Sequence, residues 1–217
     1  MPSPTRQNYL ESDALEGEAE IVEIVAGPHP GLVLSATHFH VQGGGQKGDV
    51  GQIGGRSVSG VVKTETGGIL HLMEDLSGFK RGDRVTYEVD AATRALHARL
   101  HTAGHLIAAV VETDCPGGII ATQGHHWPGE GRVSFDRPAE DTGALRALLT
   151  ERLDHHIRAD HPVRVIGDPY TDRTIQIGDF EPVGCGGTHV ASTTCLGTIT
   201  IKKLNNKGGA LRISYDL

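Results

Sequence analysis

Hydrophobic positions along the chain follow two periods, and the change falls near Asp90. Upstream, from about residue 17, the apolar runs are short and rich in Val, Ile and Thr. They read EAEIVEIVAG, GLVLSATHFH, RSVSGVVKTETG, ILHLM and GDRVTYEVD, with glycine-containing turns between them. Such runs predict strands. In DRVTYEV the alternation puts Val85, Tyr87 and Val89 on one face. Five or six strands with no helix among them predict a small closed or partly closed barrel. The acidic lead-in, Glu11, Asp13, Glu16, Glu18, Glu20 and Glu23, reads as a solvated edge.

Downstream the spacing becomes helical. Leu96, Leu100, Ala103, Ile107 and Val110 form one face of a helix over residues 91–113, and DCPGG stops it. The segment TQGHHWPGEG reads as a loop, followed by a strand at RVSFD. A second helix is predicted over residues 142–158, with Leu145, Leu148, Leu149, Leu153 and Ile157 buried and Asp141 as its N-cap. Strands follow at PVRVIG and RTIQIG. The chain closes with a hairpin, GTITIKKL and ALRISYDL, turning at NNKGG. The expectation is an α+β protein of two domains: residues 1–90 as a small β-barrel with a Gly-rich loop, residues 91–217 as an α/β unit with an antiparallel sheet.

Composition narrows the class. A net charge of -7 does not announce a nucleic-acid binder, so such a role needs a local basic patch. Over residues 197–217, Lys202, Lys203, Lys207 and Arg212 face a single acidic residue, Asp216. This is either that patch or a solvated hairpin face. Three cysteines imply no disulfide framework and suit a reducing cytoplasm. The N-terminus has no apolar signal region, and no run is long enough to predict a membrane span.

Two short stretches carry candidate chemistry. HTAGH holds His101 and His105; CGGTH holds Cys185 and His189. In a helix, i and i+4 share a face, so His101 and His105 can reach one ion. Glycines between Cys185 and His189 permit a tight turn that aims both inward. Thiolate with imidazoles is a donor set that suits zinc. With 13 histidines, about one HxxxH pair arises by chance, so the joint pattern weighs more than HTAGH alone. His97 continues the row and reads as a solvated helix histidine. His38 and His40 read as decoration of the glycine-rich loop, with a second ligand set as the alternative.

HTAGH with CGGTH resembles the zinc-binding signature of the alanyl-tRNA synthetase editing domain. It is more similar still to the free-standing alanyl-tRNA editing proteins of the AlaX family. THFHVQGGGQKGDVGQI resembles that family's glycine-rich segment, and KGGALRISYDL its closing strand. Where the family usually has Phe-Tyr followed by Pro or Ala, this chain has Phe39, His40, Val41 and Gln42.

The resemblance implies a two-layer editing domain of the threonyl/alanyl-tRNA synthetase type. It also implies hydrolysis of the ester joining a wrong amino acid, serine first and glycine second, to tRNA(Ala). It implies a zinc cofactor held by His101, His105, Cys185 and His189, which either activates water or holds the substrate. Three protein ligands would leave an open position, and four would make the ion structural. Thr122 and Gln123 carry over as the polar pair facing the aminoacyl group. Thr102 is a further candidate there, with a back-bond to the previous helical turn as its alternative. Gly43, Gly44, Gly45 and Gln46 are expected to cover the tRNA 3' end, or to be a plain turn. The chain begins with Met and has no room for an aminoacylation domain, so editing in trans is expected. The rival readings are a zinc hydrolase of a small ester or amide, and a non-catalytic zinc-stabilised RNA-binding module.

Overall fold

A computed structural model describes residues 5–65 and 67–217. The chain forms two compact units: residues up to Gly43 with Lys47–Ala95, and Gly44–Gln46 with Leu96–Leu217.

The first unit contains β1 (Arg6–Gln7), β2 (Glu16–Val25), β3 (Gly31–Leu34), β4 (Ala36–Thr37) and β5 (Gly51–Ile53). It continues with β6 (Arg56–Val58), β7 (Gly60–Lys63), β8 (Ile69–Leu72) and β9 (Arg84–Val89). Seven of these make one antiparallel sheet in the order β6-β5-β9-β2-β3-β8-β7. Strand β2 serves both halves: Glu16–Glu20 pair with β9, and Ile21–Val25 with β3. The two edge strands, β6 and β7, are separated in sequence by Ser59 alone. Val58 and Gly60 therefore lie within about 7 Å of each other. A sheet whose first and last strands adjoin has curled into the expected, nearly closed barrel. Its interior includes Ile21, Leu34, Phe39, Ile53 and Ile69, none more than 1% exposed. In β9, Val85, Tyr87 and Val89 point inward as the alternation predicted.

Three expectations change here. The acidic lead-in is not an edge: Glu16, Glu18, Glu20 and Glu23 are exposed on β2, an interior strand with a solvated outer face. RSVSGVVKTETG is not one strand but two, placed at opposite edges. His40 is no decoration, being 2% exposed and donating its backbone N–H to Asp49 at 2.6 Å. The same carboxylate receives Arg94, so the GDVG segment is pinned by a buried ion pair.

Helix α1 spans Ala91–Asp114. Leu100, Ala103, Ile107 and Val110 are fully buried, but Leu96 is 38% exposed, and His97 takes the inward position that was expected to be solvated. Then come β10 (Ala121–His125), β11 (Arg132–Phe135), α2 (Thr142–Arg158), β12 (Val163–Ile166), β13 (Thr174–Ile177), β14 (Val183–Gly184), β15 (Thr200–Lys207) and β16 (Ala210–Asp216). The second unit's main sheet is antiparallel, ordered β10-β11-β16-β15, and β12-β13-β14 form a smaller one. Val133, Phe135, Leu211, Ile213 and Tyr215 share a core with the apolar faces of both helices. Asp141 caps α2, accepting from the N–H groups of Gly143 and Ala144 at 2.8 and 3.0 Å. The final hairpin turns at Gly208 and Gly209, whose φ values of 62° and 80° give the turn twist that suits paired strands. Within the expected loop, residues 122–125 belong to strand β10, paired with β11.

Candidate metal centre and pocket

The two ligand pairs meet. The donor atoms of His101, His105, Cys185 and His189 all lie within 4.8 Å of one another. His101 Nε2 is 3.2 Å from His105 Nε2 and 3.5 Å from Cys185 Sγ; Cys185 Sγ is 3.2 Å from His189 Nε2. Around a tetrahedral zinc, with nitrogen at about 2.0–2.1 Å and sulfur at about 2.3 Å, donors stand roughly 3.3–3.6 Å apart. The three close pairs approach that spacing, so the group could hold a metal ion.

The hydrogen bonds behind the rings fix which nitrogen faces inward. Gln46 Oε1 accepts from the Thr188 N–H at 2.9 Å, and Gln46 Nε2 donates to Thr188 Oγ1 at 2.8 Å, so the amide orientation is determined. His101 Nδ1, 2.7 Å from the same Oε1, must carry its proton. The Nε2 lone pair is left pointing at the other donors. Thr102 Oγ1 works likewise. It donates to Ala98 O at 2.8 Å and so accepts from Val190 N–H and from His189 Nδ1, each at 3.2 Å. His189 Nε2 then carries its lone pair towards Cys185 Sγ, 3.2 Å away. Outer partners of this kind set ring tautomer and ligand basicity at metal sites.

Electrostatics agree. Burial lowers the His105 pKa to about 4, keeping the ring neutral, as ligation requires. Burial raises the Cys185 thiol pKa, so a bound cation is what would hold it as thiolate. Two of the three motif glycines, Gly104 and Gly187, are close-packed, while Gly186 faces open space. A Cβ on Gly187 would lie 2.1 Å from the His101 ring, and one on Gly104 would lie 2.2 Å from the ring of His126.

His126 was not singled out in the sequence. It is 4% exposed and stacks on His101 with ring centroids 4.7 Å apart. Its Nδ1 is 2.7 Å from Tyr215 Oη, which donates to Leu100 O at 2.8 Å. Burial, with His105 and His125 nearby, lowers its pKa to about 3. Nothing in its spacing relates it to either pair. The doublet HH was its only signal.

A pocket of about 520 Å³ opens beside this group. His105 and His126 line it at one end, Ala108, Val133, Ile175 and Phe180 give apolar wall, and Thr122 and Gln123 lie along it. Thr122 and Gln123 are exposed on β10, where Thr122 Oγ1 donates to Ser134 O at 3.1 Å. Thr102 and Gln46 are fully buried and engaged behind the imidazoles. Of the expected loop, Gly45 accepts the His126 N–H through its carbonyl at 2.8 Å, Gly44 has φ 57°, and Gly43 belongs to the first unit. Lys203, Lys207 and Arg212 share a second cleft with Arg132. Lys202 is set apart from them, 2.5 Å from Asp216.

The fold is that expected of an aminoacyl-tRNA editing domain. No protein-family model matches the chain. It is 31% identical to the alanyl-tRNA editing protein AlaX-M of Pyrococcus horikoshii, over 96% of this chain and 95% of that protein. It is 33% identical to the alanine–tRNA ligase of Frankia alni and 26% to that of Methanococcus vannielii, over 84% and 93% of this chain. The chain belongs to the alanyl-tRNA editing protein family. It spans about a quarter of the ligases it matches, 23% and 24% of those two. Among the described residues, no helix is long and apolar enough to cross a membrane.

Proposed function

We propose that this chain hydrolyses the ester of mischarged tRNA(Ala), with serine as the first substrate and glycine the second. The observation that carries the reading is the convergence of His101, His105, Cys185 and His189, one of which, His105, lines a pocket together with Thr122 and Gln123. The family's names point the same way: AlaX-M is an alanyl-tRNA editing protein. His101, His105, Cys185 and His189 would hold zinc, which when bound supplies Lewis-acid polarisation for ester cleavage. The chain's own residues choose the substrate. Serine and alanine differ by one hydroxyl, and a site that hydrogen-bonds that group rejects its analogue far better than an apolar slot can. Gln123, exposed along the pocket with both donor and acceptor to offer, reads the hydroxyl; Thr122 supports it. Ala108, Val133 and Ile175 give the space an apolar wall.

The test is deacylation of Ser-, Gly- and Ala-tRNA(Ala), with and without a chelator. Serine ester should be lost, alanine ester spared, and the chelator should abolish turnover. Elemental analysis should find about one zinc per chain, lost in the Cys185→Ala, His189→Ala double variant. In Gln123→Leu, serine turnover should fall by one to two powers of ten, roughly 1.5–3 kcal/mol, while zinc content holds and alanine turnover does not fall. Equal slowing of both substrates would move Gln123 from selection to chemistry. Cleavage of free aminoacyl esters as fast as of aminoacyl-tRNA would favour the small-ester hydrolase. Zinc with no turnover at all would leave an RNA-binding module.

A further inference from the structure

Apart from Gln123 at its edge, the outward face of the β10-β11-β16-β15 sheet has no part in the proposed hydrolysis. Register aligns Gln123, Ser134, Arg212 and Asn205 in one cross-strand row and His125, Arg132, Ser214 and Lys203 in the next. A cleft of about 330 Å³ crosses these rows, lined by Arg132, Lys203, Lys207 and Arg212 with Asn205 and Ser214 between them. Among the described residues, four cations and no carboxylate line it, in a chain of net charge -7. A bulge on β15 between Ile201 and Lys203 creates the selection. The extra residue, Lys202, is spent on Asp216, and Lys203 returns to the register that faces the cleft. The cleft ends at Gln123, which also lines the pocket beside the His/Cys group.

We propose that this cleft binds the sugar–phosphate backbone of a single-stranded RNA 3' end and delivers its terminal ribose past Gln123 into the pocket. The inference rests on reading that pocket as an aminoacyl-ester site. An ester at a 3' terminus reaches a recessed pocket only if the nucleotides before it run along the adjoining surface. That surface is polar and cationic, with hydroxyl and amide groups between the charges, which matches alternating phosphates and riboses. Because the pocket takes a 3' terminus, the nucleotides that reach it along the cleft are unpaired.

The test measures fluorescence anisotropy of a labelled, unacylated RNA ending in CCA, titrated with the whole protein at several salt concentrations. The same RNA annealed to its full complement is the comparison. Single-stranded RNA should bind at least tenfold more tightly than the duplex. Arg132→Ala and Lys207→Ala should each weaken binding about tenfold at low salt, and each should reduce the log–log salt slope by roughly 0.7. Lys202→Ala should change neither. Arg132→Lys, which keeps the charge on a strand residue, should retain the slope and so separates charge from folding; circular dichroism checks each variant. Equal affinity for duplex, wild-type binding by the cleft variants, or an equal loss in Lys202→Ala would each overturn the proposal. Single-turnover cleavage of Ser-tRNA(Ala) at saturating enzyme separates the two readings. Cleavage by a protein whose cleft variants bind RNA normally defeats the cleft alone. RNA bound through the cleft with no ester cleaved defeats the hydrolase alone.

Discussion

Gln46 and Thr188 are 142 residues apart in sequence and share two hydrogen bonds. Together they force the proton of His101 onto Nδ1. The consequence is measurable without any assay of activity. Gln46→Leu keeps the volume but leaves the Thr188 N–H and the His101 Nδ1–H with no acceptor. Zinc affinity, read by competition with a chromogenic chelator, should drop 10–100-fold, the usual effect of losing such a partner. Gln46→Glu should keep most of it, since a carboxylate accepts from both groups. Equal affinity in the Leu variant would show that the amide only packs. His71 offers a second residue-scale test. It is fully buried between Leu32 O, 3.0 Å from Nδ1, and Thr37 Oγ1, 2.8 Å from Nε2. Burial lowers its pKa from 6.5 to about 4. Above pH 6.5 the ring is neutral whether folded or not, and the contribution to stability is whole. As pH falls from 6.5 towards 4 the unfolded chain takes a proton that the folded chain refuses, so stability drops. The loss levels off below pH 4 at on the order of 3 kcal/mol. Urea unfolding followed by circular dichroism at pH 7.5 and 5.0 should show a larger fall for the native chain than for His71→Gln. The difference should be about 2 kcal/mol. Parallel falls would mean that His71 does not govern the acid response.

At the scale of elements, legibility followed periodicity. Helix α1 was readable because Leu100, Ala103, Ile107 and Val110 keep a helical spacing, and all four are buried. The hairpin was readable because Leu211, Ile213 and Tyr215 alternate with Arg212 and Ser214. Strand β10 was not. ATQGH offers no apolar alternation, since the strand lies at a sheet edge and its residues face a pocket. Gly124, which lowers strand propensity, is needed there because a Cβ would lie 2.3 Å from the His126 ring. The His/Cys group was legible because each of its two pairs is local in sequence. Gln46 could be noticed in sequence, but its partner His101 arises only in three dimensions. The hairpin turn gives a clean test of backbone cost. Gly209 has φ 80° and nothing within 4 Å of its missing Cβ, so Gly209→Ala meets no clash. It should still destabilise by about 1–2 kcal/mol, the cost of holding an L-residue in that region. A shift in the urea midpoint equivalent to a few tenths or less would place the turn's strain elsewhere.

For the whole molecule, sequence composition predicted the barrel as a class and said little about its wiring. Short Val- and Ile-rich runs imply strands, but nothing in them orders β9 between β5 and β2. The single run RSVSGVVKTETG concealed the decisive fact, because one residue, Ser59, lies between the two strands that bound the sheet. Those strands are three and four residues long, and the Gln42 N–H covers part of β7 by bonding Val61 O at 2.9 Å. The seam of the barrel is thus held by a covalent link, where other open sheets rely on charge or proline to guard their rims. A protease cut or a pair of engineered termini at Ser59 would leave every ladder bond of the seven strands in place. It would nonetheless release two bare margins at once, each able to recruit a strand from another copy, so that damage at one exposed serine would surface as self-association rather than as unfolding.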